Sequence, residues 1–449
     1  MLSRRMFLDR ALKGSSLVAL APAIPGFLAS TARAAGPGKD NILVVLEMTG
    51  GNDGLNTVIP YADDLYHAAR PTIRLGKGQV IRVDDHVGLN PSLRGLSKLL
   101  DDGQLAILQG VGYPNPDRSH FEAMDIWQAA DPNRKVGNGW LGRGLGALQV
   151  ETGKIPGIHV GTTGLPLALR GSATGVPTIH ASRPFDLELA TREGQPNQRM
   201  GRRFVEEMPG PAPSSDDEAH APRRRLIEDL SKIPPAGDGM PLFARRTSLQ
   251  TLAAIDHLRE VSGAGRRGNP RGGGRFDSDP FGNQRQPGGL AENLSLVGNL
   301  IASEFGTRVF YLSVDGFDTH AGQLQAHGQV LQQVGDAIAG FYAQLDRSGH
   351  ASRVVLMTFS EFGRRVRENG SQGTDHGAAS CLFVAGPAVR GGVIGEHPSL
   401  ALDRLDDGDL RHHTDFRRVY ATLLDRWLGC PSREVLSGDF EHVPLLKTI

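Results

Sequence analysis

Apolar positions gather into short unbroken runs, each closed by a loop of Gly, Asp, Asn, Ser or His. Asn41-Ile-Leu-Val-Val-Leu46 runs into Thr49-Gly-Gly-Asn-Asp-Gly54, and Leu105–Leu108, Val309–Val314, Val354–Phe359 and Cys381–Ala385 repeat the arrangement. Continuous apolar runs without in-and-out alternation predict strands buried on both faces. Between them the spacing turns helical, as over Gly328–Leu345. This order predicts an α/β fold, a doubly wound, mostly parallel sheet with helices on both faces, whose ligands bind beyond the carboxyl ends of the strands.

Two stretches break the pattern. Pro209–Gly239 is rich in Pro, Asp and Glu around Arg223-Arg224-Arg225, and Gly263–Gly289 is nearly all Gly, Arg, Asn, Pro and Asp. The second has too few apolar residues for a core and is expected to be a disordered insertion. Arg245–Val261 carries apolar residues at helical spacing, so the two read as loops around an inserted helix. No internal repeat of solenoid type is visible.

The amino terminus has another purpose. Ser3-Arg4-Arg5-Met6-Phe7-Leu8 precedes a mildly apolar run, Gly14–Ala29, broken by Pro22, Pro25 and Gly26 and closed by Ala32-Arg33-Ala34. The run falls short of the about 20 unbroken apolar residues a membrane span needs, and its small-x-small end is a cleavage signature. Residues 1–34 therefore read as a twin-arginine signal peptide, with no stable membrane span and a mature start at Ala35. The translocase is the implied partner during export, and the periplasm or the exterior the destination. Cargo of this pathway crosses folded, which suits a metalloprotein. The domain is expected over 40–449.

Charge and cysteines narrow the classes. The chain carries 49 basic and 49 acidic residues, and without the leader's Arg4, Arg5, Arg10, Lys13, Arg33 and Asp9 it is slightly acidic, which argues against nucleic acid as a partner. Cys381 and Cys430 are the only cysteines, enough for one bridge or two buried thiols but not for a disulfide scaffold.

Four loops at strand ends hold the candidate chemistry. Asp53 lies in Gly50-Gly51-Asn52-Asp53-Gly54, where a carboxylate faces a hard cation or closes a structural turn. In Asn115-Pro116-Asp117-Arg118-Ser119-His120-Phe121, Ser119 precedes the helical stretch Glu122–Ala130. There it is either the N-cap, a role Asp117 also suits, or a nucleophile whose oxyanion the helix start favours. His120 beside it is a candidate for metal or substrate contact. Asp318 and His320, in Asp315-Gly316-Phe317-Asp318-Thr319-His320, either reach one zinc- or manganese-like ion from a turn or belong to a plain structural turn. Glu361 closes a strand, and Asp375-His376 on the returning loop can converge on the same point. Arg364, Arg365 and Arg367 suit tetrahedral oxyanions or a solvated face.

Together, Gly-Gly-Asn-Asp-Gly-Leu-Asn, Asp-Arg-Ser-His-Phe, Asp-Thr-His, Ser-Glu-Phe-Gly-Arg and Gly-Thr-Asp-His-Gly behind a twin-arginine leader resemble the exported bacterial family called domain of unknown function 1501. That family is itself similar to the alkaline phosphatase and sulfatase superfamily. The resemblance implies one or two divalent ions (zinc, manganese, calcium or magnesium), Asp53 as a bridging carboxylate and Ser119 as nucleophile. It implies Asp318, His320 and His376 as ligands of one metal, and Glu361 as a metal candidate where the superfamily has the aspartate of an Asp-His-Gly triplet. Phe362 departs from it, standing where a second-metal histidine belongs, with Asp375 or His120 as the residues that could compensate. The implied activity is metal-dependent hydrolysis of phosphate or sulfate esters, small or polymeric. The alternative is a non-catalytic exported binding or cell-envelope assembly protein on the same fold, and a third reading gives the metal a structural role.

Overall fold

A computed structural model describes residues 40–133, 135–148, 155–172, 175–181 and 289–447. The leader at 1–34, the insertion at 209–239, the Arg245–Val261 helix and the insertion at 263–289, save Gly289, lie outside the described residues.

The strands, in chain order, are β1 (Ile42–Met48), β2 (Val58–Ile59), β3 (Ile81–Arg82), β4 (Gly88–Leu89), β5 (Leu105–Gly112), β6 (Gly157–Val160), β7 (Thr178–Ile179), β8 (Val309–Val314), β9 (Val354–Phe359), β10 (Ser380–Ala385), β11 (Gly392–Ile394) and β12 (Thr414–Asp415). The helices that matter for the site are α1 (Gly54–Thr57), α2 (Asp64–Ala69), α3 (His120–Ala129), α4 (Trp140–Ala147), α5 (Leu290–Ala302), α6 (Gln323–Ser348) and α7 (Phe416–Thr422).

The main sheet runs β11-β5-β10-β9-β1-β8-β6-β7, with β12 added beside β5, while β2, β4 and β3 form a small separate sheet. β1 pairs parallel with both β8 and β9, and β6 with β8. Among the described strands of the main sheet only β10 runs against its neighbours, antiparallel to β9 and β5. The doubly wound, mostly parallel sheet is therefore present, and the reversed β10 leaves the carboxyl ends of β1, β5, β8 and β9 on one edge.

Every residue of β1 is buried, and successive side chains enter different cores. Ile42, Val44, Leu46 and Met48 pack in one core with residues of α5 and α6. Leu43 and Val45 pack in the other with residues of α3, α4 and α7. Helices on both faces thus explain why the strand reads as an unbroken apolar run. Cys381 and Cys430 are both buried free thiols, not a bridge, and burial pushes the Cys381 thiol up to about 12. No described helix is long and apolar enough to cross a membrane.

Candidate metal centre

Above the shared edge, donor atoms of His120, Asp318 and His376 lie within 4.8 Å of one another. His120 is the first residue of α3, Asp318 sits in the loop after β8, and His376 comes from the loop that returns toward β10. His320 joins them, its Nε2 3.0 Å from Asp318 Oδ1 and 3.0 Å from His376 Nε2. His376 Nε2 is 3.3 Å from Asp318 Oδ1, and His120 Nε2 is 3.5 Å from Asp318 Oδ2. Three imidazoles thus turn the same ring nitrogen toward one carboxylate.

The opposite nitrogens decide which protons these rings carry. His376 Nδ1 lies 2.9 Å from the carbonyl oxygen of Arg118. A carbonyl can only accept, so Nδ1 donates and Nε2 of the neutral ring is left as a lone pair. His120 Nδ1 faces Glu361 Oε1 at 2.8 Å and His320 Nδ1 faces Asp375 Oδ1 at 3.4 Å, with the same consequence. Fixing Nδ1–H on an oxygen acceptor is how proteins orient metal-binding histidines. Burial lowers the His376 pKa, which favours the neutral, ligating form. Burial alone would raise Asp318, but the Arg364 guanidinium holds it below the usual carboxylate range, so it is an anion. Two lone pairs 3.0 Å apart repel unless a cation or a shared proton lies between them. The donor set, imidazole nitrogen with one carboxylate oxygen, fits zinc or manganese better than the oxygen-seeking calcium and magnesium.

The other expected site residues are placed differently. Asp53 is not in the cluster. It caps α1, with Oδ1 accepting from the backbone of Leu55 and Asn56, while Oδ2 takes Arg70 Nη1 at 2.5 Å and the Gln323 amide. In the structure its cation is an internal guanidinium, where the sequence reading expects a bridged metal ion. Glu361 is likewise fully used, Oε1 by Gly50 N at 2.8 Å and His120 Nδ1, and Oε2 by Ser360 Oγ at 2.9 Å. It therefore stands as a carboxylate behind His120, where the sequence reading expects a metal ligand. Glu361→Gln, which keeps the shape but weakens the acceptor for His120 Nδ1–H, is expected to cut metal affinity about 10–100-fold, as outer-shell losses do. Competition against a chromophoric chelator reads this directly.

Asp375 lies behind His320, where the Asn369 amide keeps its pKa low. Ser119 is exposed at the α3 N-cap, but its hydroxyl makes no capping bond. Asp117 Oδ1 instead accepts from Ser119 N at 2.8 Å. Arg364 is buried and unavailable to an oxyanion. It spends its donors on the carbonyls of Gly50, Gly51, Phe317 and Thr374 and on Asp318 Oδ1 at 2.5 Å. That guanidinium sews three strand-end loops together, and a β-bridge sets Arg364 opposite His376.

Phe362 is the floor of the site, its ring 4.9 Å from His120 and 4.7 Å from His376 between centroids. Gly51, at φ +74°, has no Cβ because one would strike the Phe362 ring. The two positions that could have framed a second ion, Asp53 and Phe362, are thus filled by an ion pair and an aromatic ring.

Sequence reasoning missed three contributors. Arg70, Gln323 and Glu47 carry no local motif, since each acts across the fold. Glu47 is buried in β1, accepting from Tyr311 Oη and from Gln128 Nε2 of α3, and burial pushes it up to about 7. A charged residue inside the apolar run of β1 was the one available signal.

Residues 279–437 match the family described as "Protein of unknown function (DUF1501)". No curated protein matches the chain. Among solved structures the chain is similar to Ps i-CgsB, at 10% identity and TM-score 0.37 over 90% of this chain and 74% of that one. It is similar to the lipoteichoic acid synthase LtaP from Listeria monocytogenes, at 7% identity and TM-score 0.31 over 80% and 68%. It is also similar to alkaline phosphatase from the Antarctic bacterium TAB5, at 10% identity and TM-score 0.27 over 78% and 92%.

Proposed function

We propose, for a chain whose carboxyl-terminal part carries the DUF1501 sequence pattern, that it is an exported hydrolase of phosphate or sulfate esters built on one divalent ion. The ion, zinc or manganese, would be held by His120, His320, His376 and Asp318. The observation that carries this is the lone-pair arrangement: three Nε2 atoms, each with Nδ1 committed to an oxygen, aimed at one anionic carboxylate. The twin-arginine leader supports export of the folded, loaded protein.

A bound ion would supply Lewis-acid polarisation of an ester oxygen, worth several kcal/mol of barrier. The chain supplies the rest. Glu361, Asp375 and the Arg118 carbonyl hold the imidazoles in one tautomer. Arg364 keeps Asp318 ionised and in place. Ser119, exposed beside His120 at the positive end of α3, offers its Oγ as nucleophile to a phosphoryl or sulfuryl centre. Phe362 keeps water from beneath the rings.

Ser119→Ala tests the assignment. Turnover of p-nitrophenyl phosphate or p-nitrophenyl sulfate is expected to fall at least about 1,000-fold, as nucleophile removal does, with metal content unchanged. Equal rates in both proteins would remove Ser119 from the mechanism. The second reading, a binding protein without turnover, is favoured by Phe362 and by the Arg70–Asp53 pair, which leave no place for the second ion of a two-metal clamp. Stoichiometric metal with no ester turnover in the parent protein would select it.

A further inference from the structure

Against the metal loops stands a tight hairpin, Asp406 to Asp409, closed by a β-bridge between its ends. Asp407 and Gly408 have φ of 50° and 86°, the left-handed pair that a type I′ turn needs and that Asp-Gly supplies. Leu405 and Leu410 on either side are buried in one apolar cluster with Val366, and Val366 N donates to the Gly408 carbonyl at 3.3 Å. The hairpin is therefore fixed to the loop that carries Arg364 and Arg365.

That fixed turn presents one buried carboxylate. The Asp409 side chain is 3% exposed, and its Oδ2 accepts from Arg118 Nε at 2.9 Å and from Nη2 at 2.6 Å. Arg365 Nε stands 3.7 Å from Oδ1, which has no hydrogen-bond partner among the described residues. A buried carboxylate with one oxygen unpaired costs stability, so stability alone does not account for it. Arg118 and Arg365 belong to the two loops that meet at His376. The Arg118 carbonyl accepts from His376 Nδ1 at 2.9 Å, and Arg365 N donates at 3.0 Å to the carbonyl of Asp375, the residue before His376. One carboxylate thus reaches both sides of the gap that the His376 Nδ1 bond spans.

We propose that Asp409 is a positioning residue: by anchoring the Arg118 side chain it holds the Arg118 carbonyl against His376 Nδ1–H, and so keeps His376 Nε2 a lone pair. Calling that lone pair a metal ligand rests on the proposed single-ion site; the tautomer does not. Asp407 does not share the role. It is 78% exposed and 3.4 Å from Arg118 Nη2, a surface pair of little weight. The Arg118 side chain is 40% exposed, so water can take its guanidinium when Asp409 is removed, and no uncompensated buried charge is left behind.

The test compares the mature chain with Asp409→Leu, Arg118→Met and Asp407→Asn, none of which removes the Arg118 carbonyl. Zinc affinity is read by competition against a chromophoric chelator. The His376 tautomer is read by NMR of the ring nitrogens in the metal-free protein, with His376→Ala assigning the signals. Asp409→Leu and Arg118→Met should each weaken zinc binding about 10–100-fold, the loss typical behind a metal ligand. Each should move the His376 proton from Nδ1 toward Nε2, while His320, backed by Asp375, keeps its own. Their combination should lose no more than either alone, because both break one linkage. Asp407→Asn should match the parent. A lower melting temperature in Asp409→Leu with the His376 tautomer in place would make Asp409 merely structural and overturns the proposal. So does an unchanged tautomer in Arg118→Met, or an equal loss in Asp407→Asn, which would make the effect one of net charge. If Asp409→Leu folds poorly, Arg118→Met decides. A parent that binds no zinc ends the single-ion reading, and the tautomer shift then decides the positioning role by itself.

Discussion

The mature protein is expected to bind about one equivalent of zinc or manganese and to lose it when His376 becomes alanine. His376 is the centre of the cluster: its Nε2 is 3.0 Å from His320 Nε2 and 3.3 Å from Asp318 Oδ1, and its ring packs on His120 at 4.4 Å. Alanine removes a direct donor, so affinity should fall by more than the 10–100-fold typical of an outer-shell loss. Because an ion that binds only the folded chain stabilises it by mass action, a hundredfold excess over Kd contributes about 2.7 kcal/mol. Chelation should therefore lower the parent's melting temperature toward that of His376→Ala, whose own melting should ignore the chelator. Elemental analysis and a chelator melt check both. Metal retained in the variant would move the ion elsewhere. A metal-free parent would mean that a proton bridges His320 and His376, leaving the binding-protein reading.

The strands were legible because burial on both faces writes itself as an unbroken apolar run. Val309–Val314 and Val354–Phe359 appear in the structure with those bounds. What the runs did not carry is direction. Cys381–Ala385 looks like its neighbours in sequence, yet β10 is antiparallel to both, a choice set by the loop that brings His376 back over the edge. Helix ends were blurred for a similar reason: α6 extends over Gln323–Ser348, beyond the periodic Gly328–Leu345, because its first turns belong to the site, where Gln323 reaches Asp53 and Thr374. For the site, loop position found the right neighbourhoods but not the division of labour. Asp53 and Glu361 sit in glycine-flanked, strand-end settings that suit a ligand, and only tertiary partners reveal that one is neutralised by Arg70 and the other stands behind His120. His120 read as a supporting residue because an Ser-His pair at a helix start says nothing of where Nε2 points.

Arg70→Met is expected to cost about 3–5 kcal/mol at neutral pH, the usual price of removing one partner from a buried pair. Arg70 is fully buried and joins Asp53 at 2.5 Å, Asn56 Oδ1 at 2.8 Å and the carbonyls of Val366 and Arg365, each at 3.0 Å. It therefore ties the loop after β1 to the loop after β9, and methionine fills much of the volume while leaving the carboxylate uncompensated. The pH dependence identifies the cause. Burial alone would raise the Asp53 pKa, but Arg70 holds it below its ordinary value. A depressed folded pKa contributes stability that is present above the unfolded value, about 3.9, and is lost as pH falls through the folded one. In the variant only the Gln323 amide, His327 and the backbone of Leu55 and Asn56 still oppose burial, so the folded pKa rises. The variant's deficit should then be largest near neutrality and shrink as pH falls toward about 4, where Asp53 can be protonated. Urea melts of both proteins across that range measure it. Asp53→Asn in the Arg70→Met background should recover part of the loss, since coupled neighbours are not additive. A deficit constant with pH and unrelieved by Asp53→Asn would mean that Arg70 acts through its carbonyl contacts alone, and the internal guanidinium would no longer explain why Asp53 stands apart from the metal cluster.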